Sequence, residues 1–321
     1  MRKALPLALL ATALACALFT APAHAQRART FVASYGNDAN PCTFGSPCKT
    51  FQQAVNVVAA GGEVTAIDSA GFGPIAISQA ITITSPDGVE AGIVPVSGGA
   101  AIIINAGPND AVVLRGLTLN GSGAGSNGVV FNTGASLTVT NCVVQNFASD
   151  GSNITNGNGI LIQPTSSQVN FTITNSIFAN NDNVGILYFA PSGAANVNGV
   201  VDHVTGTGNF DGIAVISGTG GTVTAISNSN FSNNGDDGIF VSNGTGLLTM
   251  SIDTVSAVSN SVSGIAASGT PNVLLGRSVI TGNMTGVDNG TSNTFFTYKD
   301  NRISGNGTDI SSALNTTVPL Q

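Results

Sequence analysis

Asp211 and Asp237 each stand immediately before a Gly-Ile pair, in Asn209-Phe210-Asp211-Gly212-Ile213 and Gly235-Asp236-Asp237-Gly238-Ile239. Asp236 adjoins the second of them, and Asp182 lies just before a third such opening, Gly185-Ile186. Crowded carboxylates resist joint ionisation, so one pKa rises and a proton donor near neutrality stands beside an ionised partner. A glycosidase needs such a pair, a separation of about 5 Å suiting retention and a wider one inversion. The same oxygens, with turn carbonyls, could hold Ca²⁺. Asp211, Asp236 and Asp237 are therefore the candidate catalytic residues and the candidate Ca²⁺ ligands, with Asn209 and Asp182 as candidate ligand-binding neighbours. No other cofactor is indicated. Against the chemical reading stands a plainer one: Asp or Asn before Gly is ordinary bend chemistry, and Asn127-Gly128, Asn158-Gly159 and Asp150-Gly151 fill similar places without being acidic pairs.

Whether these side chains meet depends on the elements that carry them. Gly128-Val129, Gly159-Ile160, Gly185-Ile186, Gly212-Ile213, Gly238-Ile239, Gly264-Ile265 and Gly286-Val287 open successive units of a repeat whose spacings are 31, 26, 27, 26, 26 and 22 residues. Such a period marks a solenoid. Apolar residues alternate within each unit, as in Leu137-Thr138-Val139-Thr140 and Phe171-Thr172-Ile173-Thr174, which is strand patterning. Three short strands and three bends in about 26 residues make one turn of a parallel β-helix, with coils roughly 4.8 Å apart. The fold class is all-β, with coils from about residue 63 to 310 and a tail over 311–321. Stacking in register would bring Asp211 and Asp237 one coil step apart. It would also place Ile160, Ile186, Ile213, Ile239 and Ile265 in one buried column, since a one-residue slip would expose them all. An Asn/Asp column is expected at Asn141, Asn175, Asp202, Asn228, Asp253 and Asp300, with Arg277 the exception. The Gly residues are expected to supply bend conformations. A Thr array at Thr138/Thr140 and Thr172/Thr174 would be broken by Val201 and Ile252 in its outer column.

Ahead of the repeat, Ser46-Pro47-Cys48 through Gly61-Gly62 reads as a cap helix over about 47–60, with Ser46 as cap, Pro47 first and the two glycines as stop. A helix of this composition, a Gly-Gly stop and a first coil resemble the amino-terminal cap of the right-handed β-helix proteins of the pectin-lyase-like superfamily. That resemblance implies one right-handed parallel β-helix domain over residues 26–321, and specifies the fold far more than the chemistry. The aspartates are similar to those of the polygalacturonase-type β-helix hydrolases, whose Asn-X-Asp precedes a Gly and whose Asp-Asp lies one coil later. Asn209 and Asp211 match the first motif, Asp236 and Asp237 the second. The family's Gly-His-Gly and Arg-X-Lys motifs have no counterpart: no His follows Asp237, and the later cations are Arg277, Lys299 and Arg302. A lyase would need a base and a cation for the uronate, and the middle coils offer only Arg115. His203 reads as a coil-wall or corner residue.

Residues 1–25 read as a secretory signal peptide: basic Arg2-Lys3, an apolar stretch from Ala4 to Phe19, and Ala23-His24-Ala25 before the cleavage point. The mature protein is then secreted or periplasmic, and no other stretch is long and apolar enough to span a membrane. Without Arg2 and Lys3, 7 basic residues face 16 acidic ones, a balance of −9. That excludes nucleic acid as a partner, and any anionic polymer held in a basic groove. A polysaccharide or cell-envelope glycan is the partner such a neutral, amide- and hydroxyl-rich surface suits. Cys42 and Cys48 flank a five-residue loop and are expected to pair, leaving Cys142 as a small residue in the coil wall beside Ser176, His203 and Ser229. The sequence thus favours a non-catalytic glycan-binding or structural envelope module, with a carbohydrate-active hydrolase built on the aspartates as the alternative.

Overall fold

A computed structural model describes residues 27–164, 168–189, 196–290 and 294–314, and the backbone of 316–317. The expected signal peptide lies outside these residues, as do residues 315 and 318–321 of the expected tail. Among the described residues no helix is long and apolar enough to cross a membrane.

The chain winds through three parallel sheets in turn. The first has 12 strands, from Arg27–Val32 to Thr316–Thr317; the second has 10, from Ala70–Gly71 to Arg302–Ile303; the third has 10, from Ile75–Ile77 to Thr308–Ile310. Each strand pairs with its counterpart one coil below and one coil above, so the product is a parallel β-helix. The alternating residues of each strand send one set inward to a single core running the length of the solenoid. Ile160, Ile186, Ile213, Ile239 and Ile265 do stack in register on the third sheet, and all five are buried. A second, smaller apolar cluster lies on the outer face of that sheet, where Leu161, Leu187 and Ala214 pair in register and pack with Val184.

The coil-opening glycines are required for a different reason from the one expected. None of Gly159, Gly185, Gly212, Gly238 and Gly264 is in the left-handed region. Instead, a Cβ on each would lie 2.5–2.7 Å from the carbonyl oxygen of the equivalent glycine in the next coil. Backbones touch there, and any side chain would wedge the coils apart. Asn takes much of the left-handed work: Asn141, Asn175 and Asn228 have φ of 55°, 50° and 48°.

Register corrects the expected Asn/Asp column. Strand pairing aligns Thr140, Thr174, Asp202, Ser227, Asp253 and Gly276. Asn141, Asn175, His203, Asn228, Thr254 and Arg277 form the next column, all left-handed. The expected set therefore mixed two adjacent positions, because Asp and Asn look equivalent in sequence but sit one residue apart. Asp300 belongs to neither, since Lys299 follows Arg277 in the left-handed column. The same slip affects Val201 and Ile252, which are buried inward. The outward column over Thr138 and Thr172 is broken by Val200 and Ala225 instead. Cys142 is flanked in register by Ser176, with Val204 rather than His203 in the following coil.

The true amide ladder is buried at the bend from the second to the third sheet. Asn181, Asn209, Asn234, Asn260, Asn283 and Asn306 are joined Nδ2 to Oδ1, each amide donating to the carbonyl oxygen of the next coil's Asn at 2.9–3.4 Å. Each Oδ1 from Asn209 onward also accepts a backbone N–H from the coil before it.

The helix at the start is shorter than the expected 47–60. It spans Phe51–Val57, capped by Thr50, whose hydroxyl accepts the Gln53 N–H, and it buries Phe51, Ala54 and Val55. Ser46 and Cys48 are held elsewhere, Ser46 bridging to Thr43 and Cys48 to Val32, and the chain from Val58 onward is already strand. Cys42 and Cys48 are joined by a disulfide, while Cys142 is free, buried, and its thiol is pushed up to about 11 by that burial.

Candidate functional site

The candidate aspartates sit beside the amide ladder, on the same bend. Strand pairing and side-chain bonds place Asn127, Asn158, Val184, Asp211, Asp237 and Ser263 in one column at the start of the third-sheet strands. Each side-chain oxygen there has a fixed task. The N–H of the equivalent residue one coil on points down at the bend and is met by the side chain below it. Asn127 Oδ1 accepts Asn158 N–H at 3.0 Å, Asn158 Oδ1 accepts Val184 N–H at 3.1 Å, Asp211 Oδ1 accepts Asp237 N–H at 3.0 Å, and Asp237 Oδ1 accepts Ser263 N–H at 2.9 Å. Carboxylate and amide are interchangeable in this role, which is why Asn fills the earlier places in the column and Asp the later ones.

What distinguishes Asp211 and Asp237 is charge. Both are only 7 % exposed, and with the half-buried Asp236 they bring one oxygen each to within 4.8 Å of one another. Burial, which removes water from the ionised form, is the main cause of the shifts that follow. It raises Asp211 to about 7, with the Asp237 and Asp236 charges adding to it against the Asp237 N–H bond. It raises Asp237 to about 6, opposed by bonds from Ser263. Asp236 is raised by the same cause. Near neutrality the cluster is therefore poised between protonated and ionised forms. It is also the one set of three or more acidic, His or Cys side chains among the described residues whose geometry could gather a cation.

The other expected site residues are placed differently. Asn209 is 3 % exposed and its amide is used up in the ladder, donating to Phe178 O at 3.0 Å as well as to Asn234. Asp182 is exposed, accepts the Ser149 N–H at 3.1 Å, and is not among the clustered carboxylates. Phe210, 48 % exposed, accepts the Asp236 N–H on its carbonyl and precedes Asp211 in the chain. His203 is exposed on the other bend, between the first and second sheets, its Nδ1 2.7 Å from Asp202 Oδ2. Three coils on, the same bend carries the Arg277–Asp253 ion pair, which sequence reasoning passed over.

No protein-family model matches the sequence, and no curated protein is significantly similar to it. Among solved structures the chain is similar to pectate lyase Pel9A, with a TM-score of 0.52 and 15% identity over 84% of this chain and 67% of that chain. At that identity the likeness is one of fold: with the three parallel sheets, this chain has the right-handed parallel β-helix fold.

Proposed function

We propose that the protein is a secreted or periplasmic module that binds glycans or serves as a structural part of the envelope, without catalysing a reaction on them, and that the helix Phe51–Val57 is its amino-terminal cap. The observation that carries this is the employment of the acidic pair. Asp211 and Asp237 are both buried and both committed to the next coil's N–H, in the column where Asn127 and Asn158 perform the same task without any charge. A hydrolase needs an acid and a base within reach of the scissile bond and its water. Here only Asp236 and the ring of Phe210 offer themselves outward. The surface of amides and hydroxyls, and the fold shared with a pectate lyase, support a carbohydrate as the partner class.

A specific observation favours the second reading, a hydrolase using Asp211, Asp236 and Asp237: their oxygens lie within 4.8 Å of one another, and burial lifts Asp211 and Asp237 to near-neutral pKa values. The two separate in a panel of soluble polysaccharides assayed for both retention and reducing-end release, with wild type and the double variant Asp211→Asn/Asp237→Asn. The module reading expects retention of at least one glycan by both proteins and no release by either. Release by wild type that disappears in the double variant, while retention persists, would transfer the conclusion to the hydrolase. A rise in melting temperature with added Ca²⁺ in wild type alone would mark the cluster as a cation site.

A further inference from the structure

The column Thr140, Thr174, Asp202, Ser227, Asp253, Gly276 runs up the bend between the first and second sheets, and at Gly276 it loses its side chain. Tyr298, one coil on, leans into the gap: its ring carbon Cδ2 lies 3.1 Å from where a Gly276 Cβ would stand, and Asp253 Oδ1 lies 3.2 Å from it on the other side. The outcome is a depression of about 440 Å³ walled by Asp253, Arg277, Tyr298 and Asp300. A second depression, of about 500 Å³, shares Arg277 as a wall and continues back over three coils to His203.

We propose that this track is a binding site for a neutral oligosaccharide lying along the solenoid axis, an inference that rests on the glycan-binding reading above and gives it a location. The Arg277 guanidinium is spoken for: its Nε donates to Asp253 Oδ1 at 2.9 Å and its second nitrogen to Oδ2. Its backbone N–H is held by Asp300 Oδ1 at 3.0 Å. Of the cations that wall the two depressions among the described residues, Arg277 is thus paired and His203 stands against Asp202, while the exposed Lys299, between Tyr298 and Asp300, is not one of the wall residues. What remains is a fixed, planar set of donors and acceptors, namely the spare N–H groups of Arg277 beside the carboxylates of Asp253 and Asp300. Such a set matches the vicinal hydroxyls of a sugar, each of which donates and accepts. The half-buried ring of Tyr298 supplies an apolar wall for the C–H face of a pyranose, with a hydroxyl at its edge. The axial direction follows from spacing. Coils recur every ~4.8 Å, close to the length of one pyranose, so a chain along the axis meets an equivalent bend at each sugar. The two depressions together hold roughly four units, within the volume range of ordinary ligand clefts.

The test is titration calorimetry of the full-length, signal-cleaved protein with cellohexaose, xylohexaose and mannohexaose, and with polygalacturonate as the acidic comparison. Three variants accompany wild type. Tyr298→Ala removes the wall. Gly276→Thr refills the column with the residue that Thr140 and Thr174 already place there. Phe210→Ala removes the exposed ring beside the aspartates instead. The expected result is binding of at least one neutral hexasaccharide, weakened about tenfold or more by Tyr298→Ala and by Gly276→Thr and unchanged by Phe210→Ala, with all circular dichroism spectra alike. Binding that survives both groove variants, or that only Phe210→Ala weakens, would overturn this site while leaving the glycan-binding reading intact. Binding of polygalacturonate alone would overturn the neutral class. Wild type that binds none of the probes would overturn the reading and the site together. Should Gly276→Thr unfold, Tyr298→Ala decides.

Discussion

Replacing Asp211 by Asn should make the protein more stable at pH 8 and, by a clearly smaller margin, at pH 5. The folded-state pKa of Asp211 is raised to about 7 from an ordinary 3.8. A raised carboxyl binds its proton more tightly in the folded than in the unfolded chain, so its contribution is fully present below pH 3.8 and is lost as pH rises through 7. At about 1.4 kcal/mol per pKa unit the whole contribution is on the order of 4 kcal/mol, and about 3 kcal/mol of it disappears between pH 5 and pH 8. Asp237, raised to about 6, loses its own share over the lower part of the same window. The carboxyls of Asp150 and Asp202 are held down, at about 2, by hydrogen bonds from Ser152 and from Ser227, so their effect falls below pH 4 and does not enter the window. Asn at 211 keeps the acceptor for Asp237 N–H, as Asn158 does for Val184, and carries no charge to desolvate. Differential scanning calorimetry at pH 5, 6, 7 and 8 reads the effect. Wild type should fall by on the order of 5–10 °C across the series, Asp211→Asn by about a third of that, and the double variant Asp211→Asn/Asp237→Asn hardly at all. Wild type equally stable at pH 5 and pH 8, or Asp211→Asn melting below wild type at pH 8, would refute the reasoning.

Ile213→Asp drives an unpaired charge into the buried third-sheet column and should cost several kcal/mol, visible as a collapse of the melting temperature beside a near-normal Asp211→Asn. Gly212→Ala should destabilise by at least ~2 kcal/mol although Ala is the smaller insult by volume, because its methyl would stand 2.6 Å from the Gly238 carbonyl oxygen; chemical denaturation would show it, and a neutral substitution would mean that the coils are not in van der Waals contact there. Titration of unreduced, signal-cleaved protein with a thiol reagent should find no reactive thiol in the native state and one after denaturation, since Cys42 and Cys48 are joined and Cys142 is buried; two or more would contradict the pairing.

The isoleucine column, the three-sheet winding and the disulfide were legible from sequence because each rests on a pattern with a fixed period: Ile after Gly, apolar alternation, two Cys around a short loop. Register at the bends was not. Asp202 and Asn141 belong to neighbouring columns, and nothing in their residue types distinguishes an outward strand end from the left-handed residue that follows it. The buried ladder through Asn209 was hidden for a related reason. Asn181, Asn209, Asn234, Asn260, Asn283 and Asn306 are separated by 28, 25, 26, 23 and 23 residues, because coils gain or lose a residue at the bends while the ladder stays in register. The clustering of Asp211, Asp236 and Asp237 was readable, since one coil step brings them together whatever their task. Their depth was not readable, because nothing in the residue types marks this bend as covered, although Val184, which precedes Asp211 in the column, belongs to the buried outer cluster. Gly276 shows the converse: an absent side chain carries no sequence signal until the column it interrupts has been aligned.

The contact between Gly212 and Gly238 also bears on how such a chain can change in length. Because both residues occupy the same place one coil apart, each preceded by Asp and followed by Ile, excision of residues 212–237 would join Asp211 to Gly238 and regenerate the local sequence Asp-Gly-Ile at the seam. The isoleucine column would close up by one member, the amide ladder would lose Asn234 alone, and Asp211 would inherit the Ser263 N–H that Asp237 now holds. Duplication of the same stretch would be equally seamless. A solenoid whose joints repeat in this way can be lengthened or shortened by recombination between coils, so the number of coils is free to vary independently of what any one bend has come to bind.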